Sequence, residues 1–210
     1  MLGTHDLLLF IASGLLLNIT PGADSLYIVT RSATQGRRAG VAAALGISLG
    51  CCVHILAAAL GISALLAASA SAFTFIKLLG AAYLVYVGVS LLRHRPQAQV
   101  QAGDTLARSP WKSIFIQGFL TNALNPKVAL FFLAFVPQFI DPNAPNKALA
   151  FIFLGAIFNF NGTLWCLFLA WSAAHLKSLG AGRRASQWLG RGVGALFVAL
   201  GLRLALSKPG

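Results

Sequence analysis

From Ala39 to Ile76 the chain carries no Asp, Glu, Lys or Arg. About 20 mostly apolar residues are enough to cross a hydrocarbon core about 30 Å thick. A stretch well beyond that length is hard to place in any fold that faces water. The composition agrees, with 58% hydrophobic and 10% charged residues against roughly 45–50% and about 25% in ordinary globular chains. So few charges cannot clothe a soluble surface, so most of the chain must face lipid. The same hydrophobicity excludes disorder, and three cysteines exclude a disulfide scaffold. In lipid every backbone polar group must be satisfied internally, which leaves helices or a closed barrel. The apolar runs are too long and continuous for alternating barrel strands. An all-α integral membrane protein is expected.

Reading between charge clusters gives six candidate spans. They run over Leu7–Ile28, Val41–Ala68, Ala72–Leu92, Ser113–Phe139, Ala148–His175 and Gln187–Leu206, with a fold-back expected at Ser69-Ala70-Ser71. Lys77 and Arg203 sit inside the edges of the third and sixth, and Lys77 is expected to snorkel to the outer interface. No Lys or Arg precedes the first apolar run, so it is read as a span rather than a cleaved signal. Small residues recur at four-residue spacing, as Ala42, Gly46 and Gly50 and again as Gly190 and Gly194. Such ridges let membrane helices approach closely. They are also compatible with a homodimer.

The net charge of +12 reflects sixteen Lys and Arg against four acids, Asp6, Asp24, Asp104 and Asp141. Its distribution follows membrane topology rather than nucleic-acid binding. Eleven of the basic residues lie in alternate connections: Arg31, Arg37 and Arg38; Arg93, Arg95, Arg108 and Lys112; and Lys177, Arg183, Arg184 and Arg191. The opposite side has Lys147, Arg203 and Lys208. By the positive-inside rule the charged loops face the cytoplasm and both termini lie outside. No zinc-ligand spacing or aromatic-interleaved basic face accompanies them, so no nucleic-acid partner is expected.

Residues 93–112 form a polar linker with Pro96, Pro110 and a Gln97-Ala98-Gln99 pattern. It separates a three-span unit at 1–92 from another at 113–210. Each unit has an odd number of spans, so the two would insert in opposite directions, as inverted three-helix repeats. The leading helix of each is interrupted by proline beside asparagine. The first has Asn18-Ile19-Thr20-Pro21-Gly22, and the second has Asn122-Ala123-Leu124-Asn125-Pro126-Lys127. Matching interruptions in inverted halves point to a transporter site near the midplane. Proline has no N–H, so carbonyls one turn upstream lose their partners, and Gly22 permits further departure from helical geometry. Freed carbonyls can coordinate a cation or ammonium, and a restarted helix offers N–H groups to an anion. Asparagine supplies both donor and acceptor.

Asp24 and Lys127 stand next to these breaks, where charges are expensive enough to be functional candidates. Asp24 can hold the ammonium of a zwitterionic amino acid, and Lys127 its carboxylate. Without substrate the two can pair, or Asp24 can carry a proton. Alternatively Asp24 lies at the cytoplasmic interface and pairs with Arg31 or Arg37. His54, mid-span, is either a hydrogen-bonded packing residue or a second proton-coupling group. Asn159 and Asn161 either line the cavity or bond between helices. Adjacent Cys51 and Cys52 point apart and Cys166 stands alone, so neither a metal site nor a cofactor is expected. No Ser/His/Asp triad, phosphate loop or carboxylate pair emerges, which argues against an enzyme.

Together these segments resemble the LysE/RhtB family of bacterial amino-acid exporters, over nearly the whole chain. The likeness rests on Thr20-Pro21-Gly22-Ala23-Asp24, Gly36-Arg37-Arg38-Ala39-Gly40 and the glycines from Gly46 to Gly50. It continues through Gly80-Ala81-Ala82-Tyr83-Leu84, Gly88, Asn125-Pro126-Lys127, Phe131-Phe132 and Pro137-Gln138-Phe139. Ala23 departs from the pattern, which usually has a second proline there, so a milder first break is expected. The resemblance implies efflux of amino acids or their derivatives across the bacterial inner membrane, driven by protons. Two alternatives stay open, an exporter of another small solute or ion and a membrane assembly component that transports nothing.

Overall fold

The computed structural model describes residues 2–62 and 109–175, with isolated positions at 78, 82, 85, 86, 89, 198 and 202. The third and sixth expected spans, Lys77, Arg203, Gly190, Gly194 and most of the linker lie outside the described residues. What is described is helical: α1 (Leu7–Ile19), α2 (Ala23–Gln35), α3 (Arg37–Ala57), α4 (Trp111–Ala123), α5 (Pro126–Leu130) and α6 (Lys147–His175).

Local chemistry sets most of the boundaries. α1 is apolar on all sides and stops at Thr20, whose N–H and hydroxyl both donate to the Leu16 carbonyl, at 3.1 and 2.7 Å. Pro21 cannot continue the ladder. α2 ends at Gly36, which turns the chain at φ +86° and ψ 177°, a left-handed conformation that favours glycine. α3 begins at the next residue. α4 follows Pro110 and breaks at Leu124–Asn125. α5 then widens into a π turn over Phe131–Phe135 and tightens into a 3₁₀ turn over Val136–Phe139. Asn146 starts α6 by accepting the Leu149 N–H at 3.0 Å.

α3, with its π continuation over Ala58–Ile62, and α6 are each long and apolar enough to cross a bilayer. α1 with α2, bent by 52°, and α4 with α5 through Phe139, bent by 42°, reach that length only as broken pairs. α2 carries the first helix on to Gln35, beyond the expected end at Ile28, and within that extension Arg31 finds uncharged partners inside the fold. α6, at 29 residues, is ~43 Å long at 1.5 Å per residue.

Two clusters hold these elements together. One is aromatic: Phe10, Phe131, Phe135 and Phe139 pack in series, and Phe158 of α6 stacks on Phe131 with centroids 4.6 Å apart. Phe10 and Phe151 are completely buried. The other is built from small residues, with Ala43, Ala44 and Ala170 fully enclosed beside Ile28 and Ile114. There α3 makes its most extensive contact with α4. A Cβ at Gly46, Gly50 or Gly118 would overlap the carbonyl of Phe115, Phe119 or Ala43. Backbone lies against backbone, as the glycine ridge on α3 leads one to expect.

Candidate functional site

Pro21 deprives the Leu17 carbonyl of its donor four residues on, and Pro126 does the same to the Asn122 carbonyl. Both oxygens are claimed by side chains from other elements. Lys127 Nζ donates to Leu17 O at 2.8 Å and to Thr20 O at 3.0 Å. His54 Nε2 lies 2.8 Å from Asn122 O. A carbonyl only accepts, so Nε2 carries the proton. The Asn125 N–H also donates to Asn122 O at 2.8 Å, closing a tight turn before α5.

The charged side chains cross over. Lys127, just after the second proline, serves the carbonyls of the first break. Asp24, just after the first, serves the amides of the second: its Oδ2 accepts from Asn122 Nδ2 at 2.9 Å and Asn125 Nδ2 at 3.0 Å. Asn125 also caps α5, its Oδ1 accepting the Lys127 N–H at 3.0 Å. Among the described residues Asp24 and Lys127 form no ion pair with each other. Nor does Asp24 pair with Arg31, whose guanidinium donates to Gln117 Oε1 at 2.8 Å and lies over the Tyr27 ring.

Both breaks face one cavity of about 40 Å³, room for about three water molecules. Its wall includes Asn18, Thr20, Gly22, Asp24, Asn122, Asn125 and Lys127. Of these lining residues, Asn18 Nδ2, Asp24 Oδ1 and Asn122 Oδ1 are buried without a hydrogen-bond partner among the described residues. One donor and two acceptors are therefore free, and buried polar atoms left this way are costly. Lys127 has three N–H bonds and uses two on carbonyls. The cavity thus offers acceptors beside a carboxylate at one place and N–H donors at another, as the two ends of a zwitterion require.

Most of the sequence-derived candidates meet here, though not all in the expected way. Pro21 and Pro126 act through the carbonyls they free and do not line the cavity. Gly22 is extended (φ −158°, ψ −172°), a conformation open to any residue, so its conformational freedom is not what makes the break. A Cβ there would meet Lys127 Nζ at 3.7 Å, an ordinary contact. With Ala23 in place of a second proline, residues 20–22 still leave the helix, and the bend is the larger of the two. His54 stays outside the cavity, stacked on Phe132.

Asn159 lines the cavity and also bonds between helices, whereas Asn161 does not line it. Two residues rotate a helix by roughly 200°, which turns Asn161 away. Sequence reasoning missed the partners of Asn159. Ser48 Oγ donates to Asn159 Oδ1 at 3.2 Å, and Thr163 Oγ1 lies 2.8 Å from Ser48 Oγ and 2.7 Å from the Asn159 carbonyl. Thr163 follows Asn159 by one helical turn, so periodicity could have found it. Nothing in the sequence pairs Ser48 with either.

Comparison with known proteins gives this arrangement a lineage. A model of the "LysE type translocator" family matches residues 15–208. An uncharacterised membrane protein of Pseudomonas aeruginosa is 35% identical, covering 97% of this chain and 96% of its own. The uncharacterised membrane protein YrhP of Bacillus subtilis is 34% identical over 97% of this chain and 100% of its own. A leucine efflux protein of Salmonella typhimurium is 27% identical over 93% and 92%. No solved structure matches significantly. Apolar helices broken at two prolines and a family match across most of the chain lead to one conclusion: this multi-pass membrane protein belongs to the LysE-type translocators.

Proposed function

We propose that this protein is a secondary transporter that exports amino acids or close derivatives from the cytoplasm in exchange for protons. The observation that carries this reading is the crossing of the two breaks around a cavity with unpaired acceptors beside Asp24 and unpaired N–H donors near Lys127. The leucine efflux relative supports an amino-acid cargo. Asp24 Oδ1 and Asn122 Oδ1 receive the substrate ammonium. Asn18 Nδ2 and the third Lys127 proton receive its carboxylate, with Asn125 holding Asp24 in place. Pro21, Gly22 and Pro126 shape the backbone around them.

Antiport follows from exclusive occupancy. Asp24 satisfies its burial either with a proton or with a substrate ammonium, and the two cannot share Oδ1. His54 can feel the change through Asn122, which donates its side-chain amide to Asp24 and accepts from His54 on its carbonyl. The cavity is far smaller than an amino acid, so substrate enters only after the halves move apart. Residues 1–92 and 113–210, joined by the linker at 93–112, then rock as inverted repeats about the breaks. They do so in the bacterial inner membrane, with the basic loops on the cytoplasmic side.

The test is Asp24→Asn in proteoliposomes, with radiolabelled leucine as probe and an imposed pH gradient. The variant keeps the side chain's size and loses its charge. Proton-driven leucine flux should fall by about 100-fold or more, the scale of losing a charged hydrogen-bonding group. Undiminished flux that still follows the pH gradient would remove Asp24 from the mechanism.

A further inference from the structure

We propose that the carbonyl oxygens of Leu17 and Thr20 form a binding site for a primary ammonium group, and that Lys127 is its tethered, displaceable occupant. The site stands apart from the identity of the transported solute. Its ligands are main-chain atoms at the end of α1, left without helical donors by Pro21 and by the interruption that follows. The Lys127 side chain reaches across from α5 and brings Nζ to both oxygens, at 2.8 and 3.0 Å.

The geometry favours an ammonium over a metal ion. Two neutral oxygens suit the N–H donors of an ammonium, which already bonds both, and are far short of the six to eight a calcium ion takes at about 2.3–2.6 Å. Exchangeability follows from the partners. No carboxylate holds Lys127 among the described residues, only two neutral carbonyls, and the group borders the cavity. Unwound segments in carriers expose carbonyls that need a cation. Here a side chain from the second broken helix supplies one, so the first break needs no free ion to be stable.

Purified full-length Lys127→Ala tests this directly. n-Propylammonium replaces the deleted Cγ, Cδ, Cε and Nζ one for one. At about ten times its dissociation constant it should raise the Tm of this variant by roughly 3–6 °C. Tetramethylammonium, which has no N–H, should leave it unchanged, and wild type, its site already filled by the tethered Lys127 ammonium, should respond only at far higher propylammonium concentrations. Pro21→Ala restores the donor for Leu17 O, so Pro21→Ala/Lys127→Ala should lose most of the response. No shift with propylammonium, an equal shift with tetramethylammonium, or a response indifferent to Pro21→Ala would overturn the site. Should Lys127→Ala not accumulate, the readout is the yield of monodisperse protein extracted with each amine: a higher yield with propylammonium supports the site, and equal yields overturn it. An amine response in a protein that moves no amino acid would remove the exporter reading and leave this site standing.

Discussion

The two proline breaks both set asparagine beside proline and are held in different ways. The second is largely self-sufficient. Asn125 caps α5 with its own side chain, its N–H closes a tight turn onto the Asn122 carbonyl, and His54 of α3 bonds that same oxygen. The first provides less for itself, Thr20 closing onto the Leu16 carbonyl alone. Gly22 starts α2 with no capping side chain, and the Leu17 and Thr20 carbonyls depend on one ammonium from more than a hundred residues away. The difference teaches where the molecule can move. A break that closes on itself keeps its shape as its surroundings shift, whereas one held by a distant side chain changes when that side chain does.

The sharpest way to break this asymmetry is to remove the distant side chain. Lys127→Ala leaves two buried acceptors unpaired, each costing about 1–3 kcal/mol. The apparent affinity for leucine should weaken by about 10–100-fold, and more than expression falls. Flux measured against leucine concentration, alongside quantified membrane protein, checks both, and an unaltered affinity would count against Lys127. Asn125→Ala attacks the self-sufficient break. It removes a cap worth about 1 kcal/mol and one of the two amides on Asp24, so affinity should fall about tenfold while Tm drops by a few degrees. Loss of Tm with intact affinity would make Asn125 a helix cap and nothing more. Gly22→Ala should do least. Its backbone is extended and a Cβ finds ordinary contacts, so flux should stay within about twofold, and a severe loss would show that the first break depends on glycine after all.

The breaks themselves were legible. Proline lacks an N–H in any surroundings, so Pro21 and Pro126 interrupt their helices whatever packs against them, and the asparagines beside them announced polar chemistry in an apolar run. The glycine ridge on α3 was legible too, because repeated small residues at four-residue spacing share one helix face. The direction of side chains was less so. Asn159 and Asn161 looked equivalent until the 200° between them was resolved against a particular neighbour. Ser48 has no feature that marks it apart from other hydroxyls in a membrane helix, and only the placement of α3 against α6 brings it to Asn159 and Thr163.

By itself, then, the sequence determined that this chain lies in lipid, that two of its helices break at prolines, and that an acid and a base stand beside those breaks. These follow from covalent chemistry and from the cost of polar groups in hydrocarbon, neither of which depends on partners. Tertiary structure alone decided that Lys127 and Asp24 each serve the other's break rather than pairing together or with Arg31. Residues about a hundred positions apart carry no mark of which acceptor they will meet. The choice is made when α1, α2, α4 and α5 pack, and each charge takes the nearest group the fold has left unsatisfied.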